Sequence, residues 1–114
     1  MRPRVLFVEN HAVFADTVRP AFLAEFDVVT GQGLASARGL LGEAWDAVLV
    51  DYDLDGGRGD ELARELRHQR YDGAVIATSA HEAGNAALML AGADAVCQKA
   101  DFEGIGHVIR RWVE

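Results

Sequence analysis

Hydrophobic positions along the chain follow two alternating rhythms. Short unbroken apolar runs at 5–8, 48–50 and 75–77 read as strands buried on both faces, the kind found inside a parallel sheet. Between them the apolar positions recur every three to four residues, the period of a helix with one buried face. Val5, Leu6, Phe7 and Val8 predict a first strand that ends at Glu9 and Asn10. A helix is predicted over 12–25, with Phe14, Val18, Ala21 and Phe22 on its buried face. Pro20 lies inside it and lacks a backbone donor, which predicts a kink or a break. Residues 26–30 predict a second strand, and Gly31-Gln32-Gly33 leads into a helix carrying Leu34, Ala37, Leu41 and Ala44.

The pattern then repeats. Trp45 and Asp46 introduce the strand of Val48, Leu49 and Val50, which stops in Asp51, Tyr52, Asp53, Leu54, Asp55, Gly56 and Gly57. The glycines end that strand and let the chain turn. A helix is predicted over 60–70 with Leu62 and Leu66 inward and Asp60 and Arg64 spaced as an i,i+4 ion pair. Arg67, His68 and Arg70 suit the negative end of its dipole. Gly73 opens a fourth strand through Val75, Ile76 and Ala77 to Thr78 and Ser79. An alanine-rich helix over 83–91 follows, capped by Gly92, and then a fifth strand over 94–98 with Lys99 at its end. A last helix starts at Asp101 as N-cap and buries Phe102, Ile105, Ile109 and Trp112. Gly104 and Gly106 weaken it by about 1 kcal/mol each relative to alanine. Five strand–helix units predict an α/β fold: a (βα)5 doubly wound, flavodoxin-like parallel sheet of five strands in the order 2-1-3-4-5. One domain spanning 1–114 is expected, with no output domain.

Composition narrows the function classes. The chain has 114 residues, half of them hydrophobic, a quarter charged, and a net charge of −7. No block of lysine and arginine stands out, which argues against nucleic acid or an anionic membrane as direct partner. No apolar run reaches the length of a membrane span, and no signal-peptide pattern opens the chain. The single cysteine, Cys97, excludes an internal disulfide and reads as a small buried hydrophobe in a reducing cytoplasm.

The chemistry follows from the topology. In an open α/β sheet, ligands bind just beyond the carboxyl ends of the strands. On the predicted order, Glu9, Asn10, Asp51, Ser79 and Lys99 converge there. Two acids, an amide, a hydroxyl and an ammonium suit a divalent cation and a phosphoryl group. Mg²⁺ takes oxygen ligands and is held by one or two carboxylates plus phosphate. Lys99 and Ser79 would neutralise and hydrogen-bond phosphoryl oxygens, with Asp51 as the nucleophile.

These residues, in this order, resemble the receiver domain of two-component response regulators, and the resemblance covers nearly the whole chain. In that family an acidic pair closes the first strand, where Glu9 and Asn10 stand; the phosphoacceptor closes the third, matching Asp51. A hydroxyl residue followed by alanine closes the fourth, matching Ser79 and Ala80, and a lysine closes the fifth, matching Lys99 after Ala91-Gly92-Ala93. Gly59, eight positions after Asp51, matches a family glycine. The resemblance implies a phosphoryl group accepted on Asp51 from a histidine kinase or phosphotransfer protein, Mg²⁺ near Glu9, Asn10 and Asp51, and output by docking to a downstream protein. With Asn10 uncharged, weak Mg²⁺ binding is expected, and Asp53, two residues from Asp51 on the same strand face, would supply the missing charge if it turns inward. It also implies that Asp53 and His81, each two positions beyond a pocket residue, tune how long the phosphoryl group survives. The chain departs from the family pattern at four places. Asn10 replaces the second acid, Asp55 and Ala100 replace prolines, and Val96 stands where an aromatic switch residue is usual. The segment between Ser79 and Lys99 is slightly short.

Other readings stand beside this one. The departures motivate a phosphorylation-independent docking module with the same fold. Asp51-x-Asp53 after a buried strand is similar to the haloacid dehalogenase-type phosphatases, but those enzymes open with that strand near the N-terminus and here it is the third. Asp51-x-Asp53-x-Asp55-Gly56 starts like a calcium loop, yet Leu62 stands where that loop needs glutamate. Gly31-x-Gly33-x-x-Ser36 mimics a dinucleotide fingerprint, on the second strand instead of the first. Asn10 reads equally as a ligand and as a cap of the next helix, and His11, His68 and His107 read as surface residues.

Overall fold

The computed structural model describes residues 2–113. Five parallel strands form one sheet: β1 (Arg4–Val8), β2 (Asp27–Gly31), β3 (Ala47–Val50), β6 (Ala74–Ala77) and β7 (Ala95–Val96). Their spatial order is β2-β1-β3-β6-β7, the 2-1-3-4-5 order expected once the strands of this sheet are counted in sequence. Between β3 and β6 lies an element that the apolar pattern did not reveal. Here β4 (Asp53–Leu54) and β5 (Gly57–Arg58) form an antiparallel hairpin, with Asp53 opposite Arg58. Asp55 and Gly56 make its turn, and Gly56 takes φ +86°, a conformation that glycine adopts without strain.

Side-chain alternation along the strands explains the two-sided core. Val5 and Phe7 of β1 face the layer of α1 (Ala12–Phe22) and α5 (Ile105–Val113), where they meet Ala15, Val18, Ile105 and Ile109. Leu6 and Val8 face the layer of α2 (Leu34–Leu40), α3 (Gly59–His68) and α4 (Glu82–Leu90), with Leu34, Leu62, Leu66 and Leu88. Every residue of β3 and β6 is buried, as their unbroken apolar runs required.

Several boundaries differ from the pattern, each for a local reason. Helix α1 runs through Pro20 and ends two residues later, because a proline in the last turn removes a single backbone bond. Its buried face is carried by Ala15 and Val18, with Leu23 just beyond; Phe14 is partly buried, and Ala21 and Phe22 are exposed. Helix α2 stops at Leu40, leaving Ala44 outside it and exposed. Helix α3 ends at His68. Arg70 then takes φ +62° while the Tyr71 N–H donates to Leu66 O at 3.0 Å, closing a left-handed C-terminal motif without glycine. The expected Asp60–Arg64 pair forms, at 2.9 Å. Gly92, at φ +120°, ends α4 by the same motif: its N–H donates to Met89 O and that of Ala93 to Leu88 O.

The fifth strand is two residues long instead of five. Asp94 is diverted: its carboxylate accepts the Val75 N–H and the Arg67 guanidinium, both at 2.9 Å. Asp101 does not cap a helix. It sits inside a 3₁₀ segment, Lys99–Gly104, that precedes α5. Phe102 in that segment stacks on Phe7 with centroids 5.6 Å apart and meets the edge of Phe14. Trp112, expected in the core, is half exposed on the outer side of α5. Among the described residues no helix is long and apolar enough to cross a membrane.

Candidate functional site

The parallel ladder continues one residue past each central strand. The Glu9 N–H donates to Gly31 O, the Asp51 N–H to Val8 O and the Thr78 N–H to Val50 O, at 2.9 to 3.0 Å. Glu9 and Asp51 are thereby held by backbone at the carboxyl edge of the sheet, and Ser79 follows directly on Thr78. Their side chains are sunk there: Glu9 is 0% exposed, Asp51 3% and Ser79 1%. Lys99 comes from the far end of the chain and joins the first two. Its Nζ donates to Glu9 Oε2 at 3.0 Å and to Asp51 Oδ2 at 3.1 Å, while the Phe14 ring lies 5.0 Å from it. Asp51 Oδ1 accepts the Tyr52 N–H at 2.8 Å.

Two buried carboxylates share one ammonium. Burial and the neighbouring Glu9 charge raise the Asp51 pKa above the ordinary carboxylate value, against the opposing pull of Lys99 and the Tyr52 N–H. For Lys99, burial works to lower the pKa, but the hydrogen bond to Glu9 and the Asp51 charge outweigh it, so the group stays cationic. Glu9 Oε1 and Asn10 Oδ1 are buried and accept no hydrogen bond, a costly state for polar oxygens. A hard divalent cation satisfies such oxygens, so two carboxylates and an amide fit Mg²⁺. Asn10 caps nothing. The N-cap of α1 is His11, whose own side chain makes no capping bond.

The sequence pattern places His11 at the surface, and its ring is exposed, yet it belongs to this cluster. Its backbone N–H donates to Glu9 Oε2 at 3.1 Å, and ring Nδ1 lies 3.1 Å from the same oxygen and 3.5 Å from Lys99 Nζ. Ligand atoms of Glu9, His11 and Asp51 all lie within 4.8 Å of one another. Asp53 is exposed on β4 and stands outside that set. His68 and His107 are exposed and also outside it.

Ser79 is held from α4. The Asn85 side chain accepts the Ser79 N–H at 2.9 Å and donates to Ser79 O at 3.0 Å, and Asn85 itself is buried. Ser79 Oγ accepts the N–H of His81, whose side chain is exposed. Gly84 allows this approach, since a Cβ there would lie 2.8 Å from both Ser79 Oγ and Tyr52 Cβ. Gly59 plays a similar part on the other flank. Its N–H donates to Tyr52 O at 2.6 Å, and a Cβ would collide with the Asp51 carbonyl.

No protein-family model and no curated protein matches the chain. Solved structures do. A response regulator receiver domain protein from Methanospirillum hungatei superposes with a TM-score of 0.81 at 19% identity, over 97% of this chain and 96% of that one. The response regulator TrrA from Thermotoga maritima, in complex with Mg²⁺-BeF, gives 0.85 at 21% identity over 97% and 98%. A response regulator from Burkholderia pseudomallei with a phosphorylated aspartic acid gives 0.80 at 20% identity over 98% of this chain and 66% of that one. The chain therefore has the fold of the response-regulator receiver domains.

Proposed function

We propose that the protein is a phosphoacceptor receiver. Asp51 takes a phosphoryl group from a histidine kinase or phosphotransfer protein, and the chain signals in the cytoplasm by docking a downstream protein. The observation that supports this most is the Lys99 ammonium bridging Asp51 Oδ2 and Glu9 Oε2 in a buried rim beside Ser79. A structural aspartate at a strand end needs no second buried acid and no lysine from 48 positions away. The TrrA complex and the phosphorylated Burkholderia protein share the fold and support the same chemistry here.

In this reading an Asp51 oxygen attacks phosphorus while the bond to the donor breaks. The donor leaves with the electron pair, as imidazole from a phosphohistidine or carboxylate from an acyl phosphate. Lys99 meets the charge gathering on the phosphoryl oxygens, and the Ser79 hydroxyl donates to one of them. Glu9, Asn10 and Asp51 would hold Mg²⁺, which would supply further positive charge for the phosphoryl transfer. Asp53 and His81, both exposed, flank the site and set the lifetime of the product.

The test is incubation with Mg²⁺ and acetyl phosphate, followed by intact mass. One phosphoryl adduct is expected, absent in Asp51→Asn. A second reading, a docking module that needs no phosphate, draws on Asn10 in place of an acid and on Val96, partly exposed and without a ring. No adduct at high donor and metal would favour it. Steady phosphate release from a phosphomonoester would point instead to a phosphatase.

A further inference from the structure

Resting on the reading of the Glu9–Asp51 rim as a cation site, we infer that His11 is a ligand in it and that the resulting nitrogen–oxygen donor set selects a first-row transition ion over Mg²⁺. Three observations carry this. Ligand atoms of Glu9, His11 and Asp51 lie within 4.8 Å of one another. The Glu9 side chain is fully buried, and its Oε1 accepts no hydrogen bond, as is true of the buried Asn10 Oδ1 beside it. His11 Nδ1 already faces Glu9 Oε2, at 3.1 Å.

The distances are close to what an ion needs. A zinc-type ion sits about 2.0–2.2 Å from imidazole nitrogen and carboxylate oxygen, so two ligands of a tetrahedral ion lie about 3.4 Å apart. His11 Nδ1 and Glu9 Oε2, 3.1 Å apart, already stand near that spacing, and the 64% exposed His11 side chain has room to turn as the rest of the cluster, within 4.8 Å, draws in by up to roughly 1.4 Å. The ion takes the place of the direct Nδ1–Glu9 contact and binds the neutral ring through the Nδ1 lone pair. Lys99 Nζ, 3.5 Å from Nδ1, gives up Glu9 Oε2 and keeps Asp51 Oδ2.

Chemistry sets the preference. Mg²⁺ favours charged oxygen donors, and here one site residue is the neutral amide of Asn10. Imidazole suits Co²⁺, Ni²⁺ and Zn²⁺, whose affinities for mixed nitrogen and oxygen sites exceed those of harder ions. His11 thus adds a ligand that transition ions use and Mg²⁺ does not.

The whole chain is titrated with Co²⁺, read by its ligand-field absorption, and separately with Mg²⁺. In His11→Gln, Co²⁺ affinity should fall at least ~10-fold while Mg²⁺ affinity stays within about twofold. Zn²⁺ added to the parent should move the ring resonances of His11 and leave those of His68, His81 and His107 in place. That readout needs no variant to fold. Equal Co²⁺ affinity in both forms, or a Zn²⁺ response at another histidine, overturns the inference while Mg²⁺ binding keeps the cation reading. Binding of neither ion overturns both. Co²⁺ bound through His11 without Mg²⁺ upholds the inference and changes the metal of the proposed function.

Discussion

Asp51 is the residue at which the proposed function and stability pull in opposite directions. Burial and Glu9 raise its pKa in the folded state, so the fold binds its proton more tightly than the unfolded chain does. The stabilising contribution is complete below the ordinary carboxylate pKa and is lost as pH rises through the raised folded value. Above that value the ionised Asp51 carboxylate therefore costs stability. Asp51→Asn removes that charge and should raise the melting temperature at pH 7.5 by about 4 °C, the shift ~1 kcal/mol produces in a small domain. The gain should shrink as pH falls through the raised folded value and the parent carboxyl takes up its proton. Thermal unfolding of both proteins across that range checks it; a variant less stable at pH 7.5 contradicts it. The same residue scale shows what a sequence conceals. Glu9, Asp51, Ser79 and Lys99 were legible because each closes a predicted strand. His11 was hidden, because its part arises from the chain folding back onto Glu9 two residues earlier. Asn85 was hidden in an alanine-rich helix, where its polarity gave no hint of a buried bond to Ser79.

Among the elements, the turn from β3 into α3 carries the tightest constraint. Gly59 opens α3, a place where alanine would ordinarily favour the helix by up to ~1 kcal/mol. A Cβ there would collide with the Asp51 carbonyl oxygen and lie 2.9 Å from Val50 Cγ1. Overpacking against backbone costs about 1–3 kcal/mol and outweighs propensity. Gly59→Ala should therefore destabilise by that amount, whereas Gly39→Ala in α2, whose Cβ meets nothing within 4 Å, should stabilise by up to ~1 kcal/mol. Denaturant titrations of the pair decide the matter, and two shifts of the same sign would refute the steric account. Strand and helix alternation was readable because β1, β3 and β6 are buried on both faces and cannot hide their apolar runs. The β4–β5 hairpin was not, since two-residue strands leave no period to read, although Asp55-Gly56 is a hairpin dipeptide. The fifth strand pairs in full only at Ala95 and Val96: backbone bonds run on from Asp94 to Val75 O and from Cys97 to Ala77 O, but the Val75 N–H goes to the Asp94 carboxylate and not to a backbone carbonyl.

Across the whole molecule, the parts differ in how firmly they are held. The central strands lie between two core layers, while α4 rests on the sheet through Leu88 and is tied to the site through Asn85. Beside it β7 is two residues long, and Val96 is 38% exposed. Val96 has no ring to reposition and, being β-branched, few rotamers. A Ser79 drawn toward a phosphoryl group pulls both Asn85 bonds with it, and Gly84 leaves no side chain between Ser79 and the helix. The displacement therefore passes through the backbone into α4. Such a lightly held segment opens at low free energy, which hydrogen exchange reads directly. Phosphorylation should change amide exchange mainly over residues 80–92, with little change at Val96. Trp45, buried beneath Arg4 at the opposite edge of the sheet with its indole N–H on Leu40 O, should keep its fluorescence. Exchange profiles that coincide along the chain, with and without the phosphoryl group, would remove the switch and leave a surface that is always competent to dock.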